Sequence, residues 1–317
     1  MKLAGWLPNW IGDVAMATPA LRALRQQFVD AEIVGVMRPY VTDVLAGTTL
    51  VDRVLIHDPK GKDTTARGLG FLGTLRREQF DLAVLFPNSF RAAAWAWASG
   101  AKRTIGYARN GRSLLLTDSV PASSLTTPHP VLDEMLQLVG QLGCRSLSRR
   151  MELATLPRDE QALEQFWQRH PQADSRGYVC LNSGGAFGAA KDWPVESFTM
   201  LARRIAVELG RTVLVVCGPS ERATAQRIVA DAAHPRVVSL AAEMTSLGLT
   251  KAAIRHADLL VTTDSGPRHF AAAFDVPVIT LFGPTHIAWS ETFHPLAVHL
   301  QLPVDCGPCE QRRCHLG

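Results

Sequence analysis

Short apolar runs alternate with stretches of helical periodicity along the first half of the chain. Leu3–Leu7, Glu32–Met37, Arg53–His57 and Leu82–Phe86 read as strands; Ala15–Phe28, Val41–Ala46, Ala66–Gln79 and Val131–Leu142 read as helices. From Leu156 to Gly177 the pattern breaks: Pro157, Pro171 and many charges surround one short helical stretch, which reads as a linker. A second alternation follows, with strands Tyr178–Asn182, Val213–Cys217, Leu259–Thr262 and Val278–Phe282 and helices Val195–Leu209, Glu221–Ala233, Leu247–His256 and Arg268–Phe274. Strand–helix alternation of this kind predicts a parallel sheet covered by helices on both faces. The expectation is an α/β chain of two Rossmann-like domains facing a central cleft: 1–155, a linker at 156–177, and 178–317. Open sheets of this class bind ligands at the carboxyl ends of their strands, so the strand-to-helix loops should carry the chemistry.

Composition narrows the picture without deciding it. At 317 residues there is length for two cores, and 47% hydrophobic with 20% charged residues describes an ordinary globular protein. A net charge of +4 permits an anionic substrate or an acidic membrane surface and demands neither. No Lys/Arg-rich run interleaves with aromatics, which argues against nucleic acid as a partner. The apolar start Met1–Leu7 ends at Pro8, too short for a signal peptide, and no stretch is long enough to span a bilayer; a cytoplasmic location is expected. Cys144, Cys180 and Cys217 are isolated and read as buried thiols. Cys306, Cys309 and Cys314 form C-x-x-C-x4-C, a weak metal candidate with His315 as a fourth ligand; a surface loop is the preferred reading.

Four loops draw attention. Pro8-Asn9-Trp10-Ile11-Gly12-Asp13 follows the first strand; Gly12 lets a ligand approach the backbone, and Asp13 is either a helix N-cap or a general base. Asn182 to Pro194 is rich in small residues and carries one cation, Lys191, which suits a phosphate cradle; neither a P-loop nor a dinucleotide fingerprint is present. Cys217-Gly218-Pro219-Ser220-Glu221 offers Ser220 as a cap and Glu221 as an acceptor for ribose hydroxyls. Thr262-Thr263-Asp264-Ser265-Gly266-Pro267-Arg268-His269 turns a strand into a helix, where free amides and the dipole favour an anion. The plain alternative there is a tight turn, with Asp264 or Ser265 as cap and His269 on the helix surface.

With these residues in view, the chain resembles the bacterial lipopolysaccharide heptosyltransferases, glycosyltransferases of GT-B fold, the heptosyltransferase II branch most of all. The likeness rests on Pro8–Asp13, Leu85-Phe86-Pro87-Asn88-Ser89-Phe90-Arg91, Ala186-Phe187-Gly188 with Lys191 and Trp193-Pro194, Thr263-Asp264-Ser265-Gly266 with His269, and Phe282-Gly283-Pro284-Thr285; it runs from about Leu3 to Cys314. It implies transfer of L-glycero-D-manno-heptose from ADP-heptose to an inner-core heptose, inverting the anomeric centre in one displacement. Asp13 matches the catalytic base and Lys191 the residue meeting the diphosphate. Gly12, Ser183, Glu221, Thr263, Asp264, Ser265, Gly266 and His269 fall to the donor, and Asn88, Ser89 and Arg91 to the acceptor.

No Asp-x-Asp motif stands in a loop, so metal-independent chemistry without a cofactor is expected. The implied acceptor is a lipid A–core molecule at the inner leaflet, reached by a monomer making peripheral membrane contact. Trp95 and Trp97 could supply that contact, though core is the preferred reading for both. Two departures stand out. Family members usually continue past the cysteines into a C-terminal helix, so a truncated or partial sequence, or one with a disordered tail, is expected at Gly317. Pro267-Arg268 also occupies positions where less bulky or apolar residues are usual, leaving Arg268 to touch phosphate or face solvent. Related autotransporter heptosyltransferases bind iron through a cysteine cluster, a minor reading here. Alternatives in function are a heptosyltransferase with another core-sugar or protein acceptor, and a non-catalytic nucleotide-sugar-binding module.

Overall fold

A computed structural model describes residues 1–122, 126–185 and 187–316, so Ala186 of the quoted motif and Gly317 lie outside the described residues. The chain divides into two compact units, Met1–Glu152 and Leu153–Gly317. The first holds strands β1 (Lys2–Trp6), β2 (Glu32–Met37), β3 (Arg53–Ile56), β4 (Leu82–Leu85), β5 (Arg103–Tyr107) and β6 (Asp118–Val120). Its helices are α1 (Ile11–Met16), α2 (Thr18–Gln27), α3 (Gly68–Glu78), α4 (Phe90–Ala98) and α5 (Val131–Gly140). The six strands are parallel in the order β3-β2-β1-β4-β5-β6. Strands buried on both faces read as unbroken apolar runs, and β4 is buried along its whole length. Phe71 and Leu75, one turn apart on α3, pack with Trp6, Phe80, Val34, Val36, Leu85 and the alanines of α4 into one core. Helix α3 then stops at Gln79, which takes the left-handed conformation.

The second unit holds β7 (Tyr178–Asn182), β8 (Thr212–Val216), β9 (Val237–Ser239), β10 (Leu259–Thr263), β11 (Val278–Phe282) and β12 (Ala297–Gln301). Its helices are α6 (Pro157–Arg169), α7 (Val195–Glu208), α8 (Arg222–Ala232), α9 (Leu247–Arg255) and α10 (Pro267–Ala273). The strands are again all parallel, in the order β12-β11-β10-β7-β8-β9. Numbered from β7, this is the same doubly wound order as in the first unit. Winding therefore reverses between β1 and β4 in one sheet and between β7 and β10 in the other. Such a switch point splays the adjoining loops apart and opens a crevice at the strands' carboxyl ends.

Several elements differ from the sequence reading. Residues 156–177 are largely helix and belong to the second unit. Leu156 N donates to Asp159 Oδ2 at 2.9 Å to start α6, Phe166 is wholly buried, and α6 packs on α9, where a Cβ on Gly248 would lie 2.1 Å from Asp159 Oδ1. The charges that suggested a linker are the solvent face of an amphipathic helix. Residues 41–46 lie mostly within a 3-10 segment, Pro39–Val44. Strands β5, β6, β9 and β12 and helix α4 were not anticipated: β6 and β9 have three residues each, and β12 is an edge strand with Val298 and Leu300 exposed. Trp95 packs edge-on to Phe71 and His57, whereas Trp97 is 64% exposed rather than core.

Phe198 on α7 is wholly buried in the second core, its ring 4.8 Å from that of Trp193. Phe198→Ala should cost about 3–5 kcal/mol in urea unfolding. A loss near zero would contradict this packing.

Candidate active site

The second unit's switch point is organised by one carboxylate. Asp264 follows β10 and is 8% exposed. Lys191, from the 3-10 turn Ala189–Lys191 in the loop after β7, donates to Asp264 Oδ2 at 2.5 Å and to Asp264 O at 3.2 Å. Thr285 Oγ1 donates to Oδ2 at 2.8 Å, and Ser290 Oγ donates to Oδ1 at 3.2 Å. Arg268 Nη1 reaches Oδ1 at 3.3 Å. Burial raises the carboxyl pKa, but Lys191 and Arg268 overcome it and hold the group well below the usual carboxylate range. The Lys191 ammonium also lies 4.4 Å from the Phe187 ring centroid.

The surrounding polar groups are arranged differently from the sequence reading. Neither Asp264 nor Ser265 caps α10: Gly266 is the N-cap, and no side chain bonds there. The first amides of α10 are already committed, since Pro267 has none, Arg268 N donates to Ser265 O at 3.3 Å and His269 N to Gly266 O at 3.0 Å. Arg268 faces neither solvent nor an open surface; it is wholly buried. His269 is buried as well rather than on the helix surface, and burial, then the Arg268 charge, push its pKa down to about 3, so the ring is neutral. Asn182, not singled out earlier, joins the two central loops through Nδ2, which donates to Gly184 O at 2.9 Å, Thr262 Oγ1 at 3.0 Å and Ser265 Oγ at 2.9 Å. Ser183 Oγ, Thr263 Oγ1 and His269 Nδ1 are buried without a hydrogen-bond partner among the described residues. Each such group costs about 1–3 kcal/mol until something pairs with it. Ser183 follows β7, Thr263 ends β10 and His269 lies on α10.

Glu221 brings in the loop after β8. It ends the 3-10 turn Pro219–Glu221, and Cβ atoms placed on Gly184 and Gly218 would lie 2.2 Å from its Cγ and 2.5 Å from its Oε2. Those glycines make room for the carboxylate. Ser220 does not cap α8; its hydroxyl donates to Glu221 Oε1 at 2.6 Å. The cysteine-bearing segment folds onto the same loops. Arg312 O accepts from Ala190 N at 3.2 Å, and Gly188, at φ 144°, has no room for a Cβ, which would meet Arg312 O at 2.6 Å. Glu310 N donates to Pro284 O at 2.7 Å, and Glu310 Oε1 accepts from Trp289 Nε1 at 2.6 Å. Cys306 and Cys314 are exposed and all three thiols are free. Among the described residues no three His, Cys, Asp or Glu side chains gather into a group that could hold a metal.

The first unit presents its own residues at the β1/β4 switch point. Asp13 is not an N-cap: Trp10 holds that position, and half-buried Asp13 stands in the first turn of α1 beside buried Gly12. Ser89 Oγ caps α4 by accepting from Ala92 N at 3.2 Å. Asn88 Oδ1 accepts from Arg112 Nη2 at 3.0 Å, and Arg91 is exposed. Arg112 was missed in the sequence; it is wholly buried, and its guanidinium donates to the carbonyls of Tyr107 (2.9 Å), Pro87 and Ser89 (3.5 Å), fixing the shape of the loop. Burial, then Arg109, lower its pKa to about 10, so it stays charged at neutral pH.

A family model described as glycosyltransferase family 9 (heptosyltransferase) matches residues 70–317. The chain belongs to glycosyltransferase family 9. Lipooligosaccharide heptosyltransferase 2 of Campylobacter jejuni is 24% identical over 323 residues, covering 100% of this chain and 92% of the relative. A family 9 glycosyltransferase from Veillonella parvula superposes with a TM-score of 0.83 at 23% identity, covering 95% of this chain and 86% of that one. The E. coli ADP-heptose LPS heptosyltransferase II superposes with a TM-score of 0.80 at 22% identity over 98% and 96% of the two chains. The expected GT-B class, two doubly wound α/β units, is therefore the fold of this family 9 enzyme. Among its described residues no helix is long and apolar enough to cross a membrane.

His57 gives the family 9 chain a pH signature. Its ring stacks on Phe71 at 4.5 Å, and burial, then Arg38 and Arg91, lower its pKa to about 4. Below the ordinary histidine value of about 6.5 the unfolded chain takes a proton that the folded ring refuses. Stability should therefore be full above that pH and fall as the pH drops towards 4. Chemical unfolding of His57→Phe should show a shallower loss over this window; an unchanged slope would refute the assignment.

Proposed function

We propose that this enzyme moves L-glycero-D-manno-heptose from ADP-heptose to a heptose of the lipopolysaccharide inner core, in the manner of heptosyltransferase II. The observation that carries the reading is the buried Lys191–Asp264 pair at the second switch point, ringed by unpartnered Ser183, Thr263 and His269. A diphosphate matches that set, having anionic oxygens for the ammonium and acceptors for the hydroxyls. Ser265 and Gly266 complete the turn beside it, and Glu221 takes the ribose hydroxyls. The names of the relatives support the donor and acceptor classes.

In the proposed step an acceptor hydroxyl gives its proton to the Asp13 carboxylate as its oxygen attacks the anomeric carbon. The bond from that carbon to the diphosphate oxygen breaks, and ADP leaves with its charge met by Lys191. One displacement inverts the centre. Gly12 lets the reacting groups approach the backbone beside Asp13. Ser89 and Asn88 shape the acceptor loop, and Arg91 contacts the acceptor. Lys191 supplies the positive charge at the leaving group, so a divalent metal is not required.

ADP release should follow mixing with ADP-heptose and mono-heptosylated Kdo-lipid A, and should persist in a chelator. Asp13→Ala should lower kcat by roughly 10²–10⁴-fold with ADP binding retained. Full turnover in that variant, or strict dependence on added metal, would overturn the corresponding part of the scheme.

The acceptor class also calls for peripheral membrane contact. Residues 1–152 contain 18 Lys and Arg against 13 Asp and Glu, a net +5 that exceeds the whole chain's +4. Phe90 and Trp97 of α4 and Leu114 beside it are exposed, and an apolar patch within a basic unit suits an anionic bilayer. The enzyme should co-sediment with vesicles containing phosphatidylglycerol, and Trp97→Asp should weaken this. Equal recovery with and without vesicles would rule it out.

A further inference from the structure

Arg268 stands one helical turn after Asp264 and is 0% exposed. Besides Asp264, its Nη1 donates to Ser290 Oγ at 2.6 Å and Ser290 O at 2.8 Å, and its Nη2 lies 3.4 Å from His299 Nε2. The guanidinium rests 4.8 Å from the Phe282 ring centroid. Partners from the loop after β11, from β11 itself and from β12 therefore hold it in place, with Nε left without a hydrogen-bond partner among the described residues. Asp264 thus has a cation at each oxygen, but the two differ. Arg268 is immobilised on Oδ1, whereas Lys191 reaches Oδ2 from a glycine-rich loop with its side chain 11% exposed.

A ligand diphosphate that recruits the Lys191 ammonium takes a cation away from a buried carboxylate. Leaving such a carboxylate uncompensated is strongly unfavourable, and the cost would be subtracted from ligand affinity. We infer that Arg268 is a positioning residue, a standing countercharge that keeps Asp264 ionised and fixed while Lys191 turns to the diphosphate. Thr285 Oγ1, at 2.8 Å from Oδ2, remains as a donor on the oxygen that Lys191 leaves. Arg268 therefore makes the lysine exchangeable without touching the ligand itself. The inference rests on the nucleotide-sugar reading of the site.

Calorimetric titration with ADP tests it, using the full chain as wild type, Arg268→Gln, Asp264→Asn and the double variant, with thermal melts as a folding check. In Arg268→Gln, Lys191 becomes the sole cation on Asp264, and the Kd for ADP should rise about tenfold or more. Adding Asp264→Asn in that background should recover most of the loss, because a neutral amide no longer retains the lysine. A purely structural arginine would show no such recovery, since the second substitution only removes further contacts. An Arg268→Gln Kd within about twofold of wild type, or no recovery in the double variant, overturns the inference. If Arg268→Gln does not fold, Arg268→Met takes its place with the same expectations; if neither folds, the arginine is a requirement of the fold and the inference falls. Wild type that binds no ADP would remove the nucleotide reading itself, an outcome distinct from all of these.

Discussion

A carboxylate removed from water must be matched by charge and hydrogen bonds, and Asp264 makes that demand at the switch point of the second unit. Meeting it draws Lys191 from the loop after β7, Arg268 from α10, and Thr285 and Ser290 from the segment after β11. Loops that a switch point would otherwise leave apart are tied to one another through a single side chain. The geometry of the site is thus a by-product of satisfying a buried charge.

The first unit solves a similar problem with the opposite sign. There Arg112 is a buried ion, and its partners are the carbonyls of Pro87 and Ser89 in the loop between β4 and α4, Asn88 Oδ1 of the same loop, and the carbonyl of Tyr107 at the end of β5. A guanidinium has five donors in a rigid fork and can hold several carbonyls at once. It fixes a loop's path through its own donors, whereas the carboxylate of the second unit is held between two cations, Lys191 and Arg268.

How much of this could be read in advance depended on the range of the interaction. The strands β1, β2, β4, β7, β8, β10 and β11 are apolar because both faces are covered, and their runs were legible. β12 was not, because Val298 and Leu300 alternate with His299 and Gln301 on an exposed edge. Asp13 as cap or base, Lys191 as the cation of a phosphate cradle and Thr262 to His269 as an anion site were legible from their places after strands, and the resemblance implied the finer roles; the structure places these residues at or after the ends of β1, β7 and β10. The Asp264–Arg268 pair carried a local signal, the i,i+4 spacing of opposite charges on a helix start; bulk at position 268 drew more notice than charge. Arg112 offered no such cue, since its acceptors are backbone carbonyls brought close only by folding. Residues 156–177 misled because the charges of an amphipathic surface helix and those of a linker have the same composition.

The two sheets share one strand order, and each unit has its own core, one built around Phe71 and Phe80 and the other around Phe198 and Ile228. Within each unit the loops can therefore be reshaped while the strands and helices that build that unit's core are kept. Modularity of this kind makes the architecture evolvable, and it accords with relatives that keep the fold at less than a quarter identity.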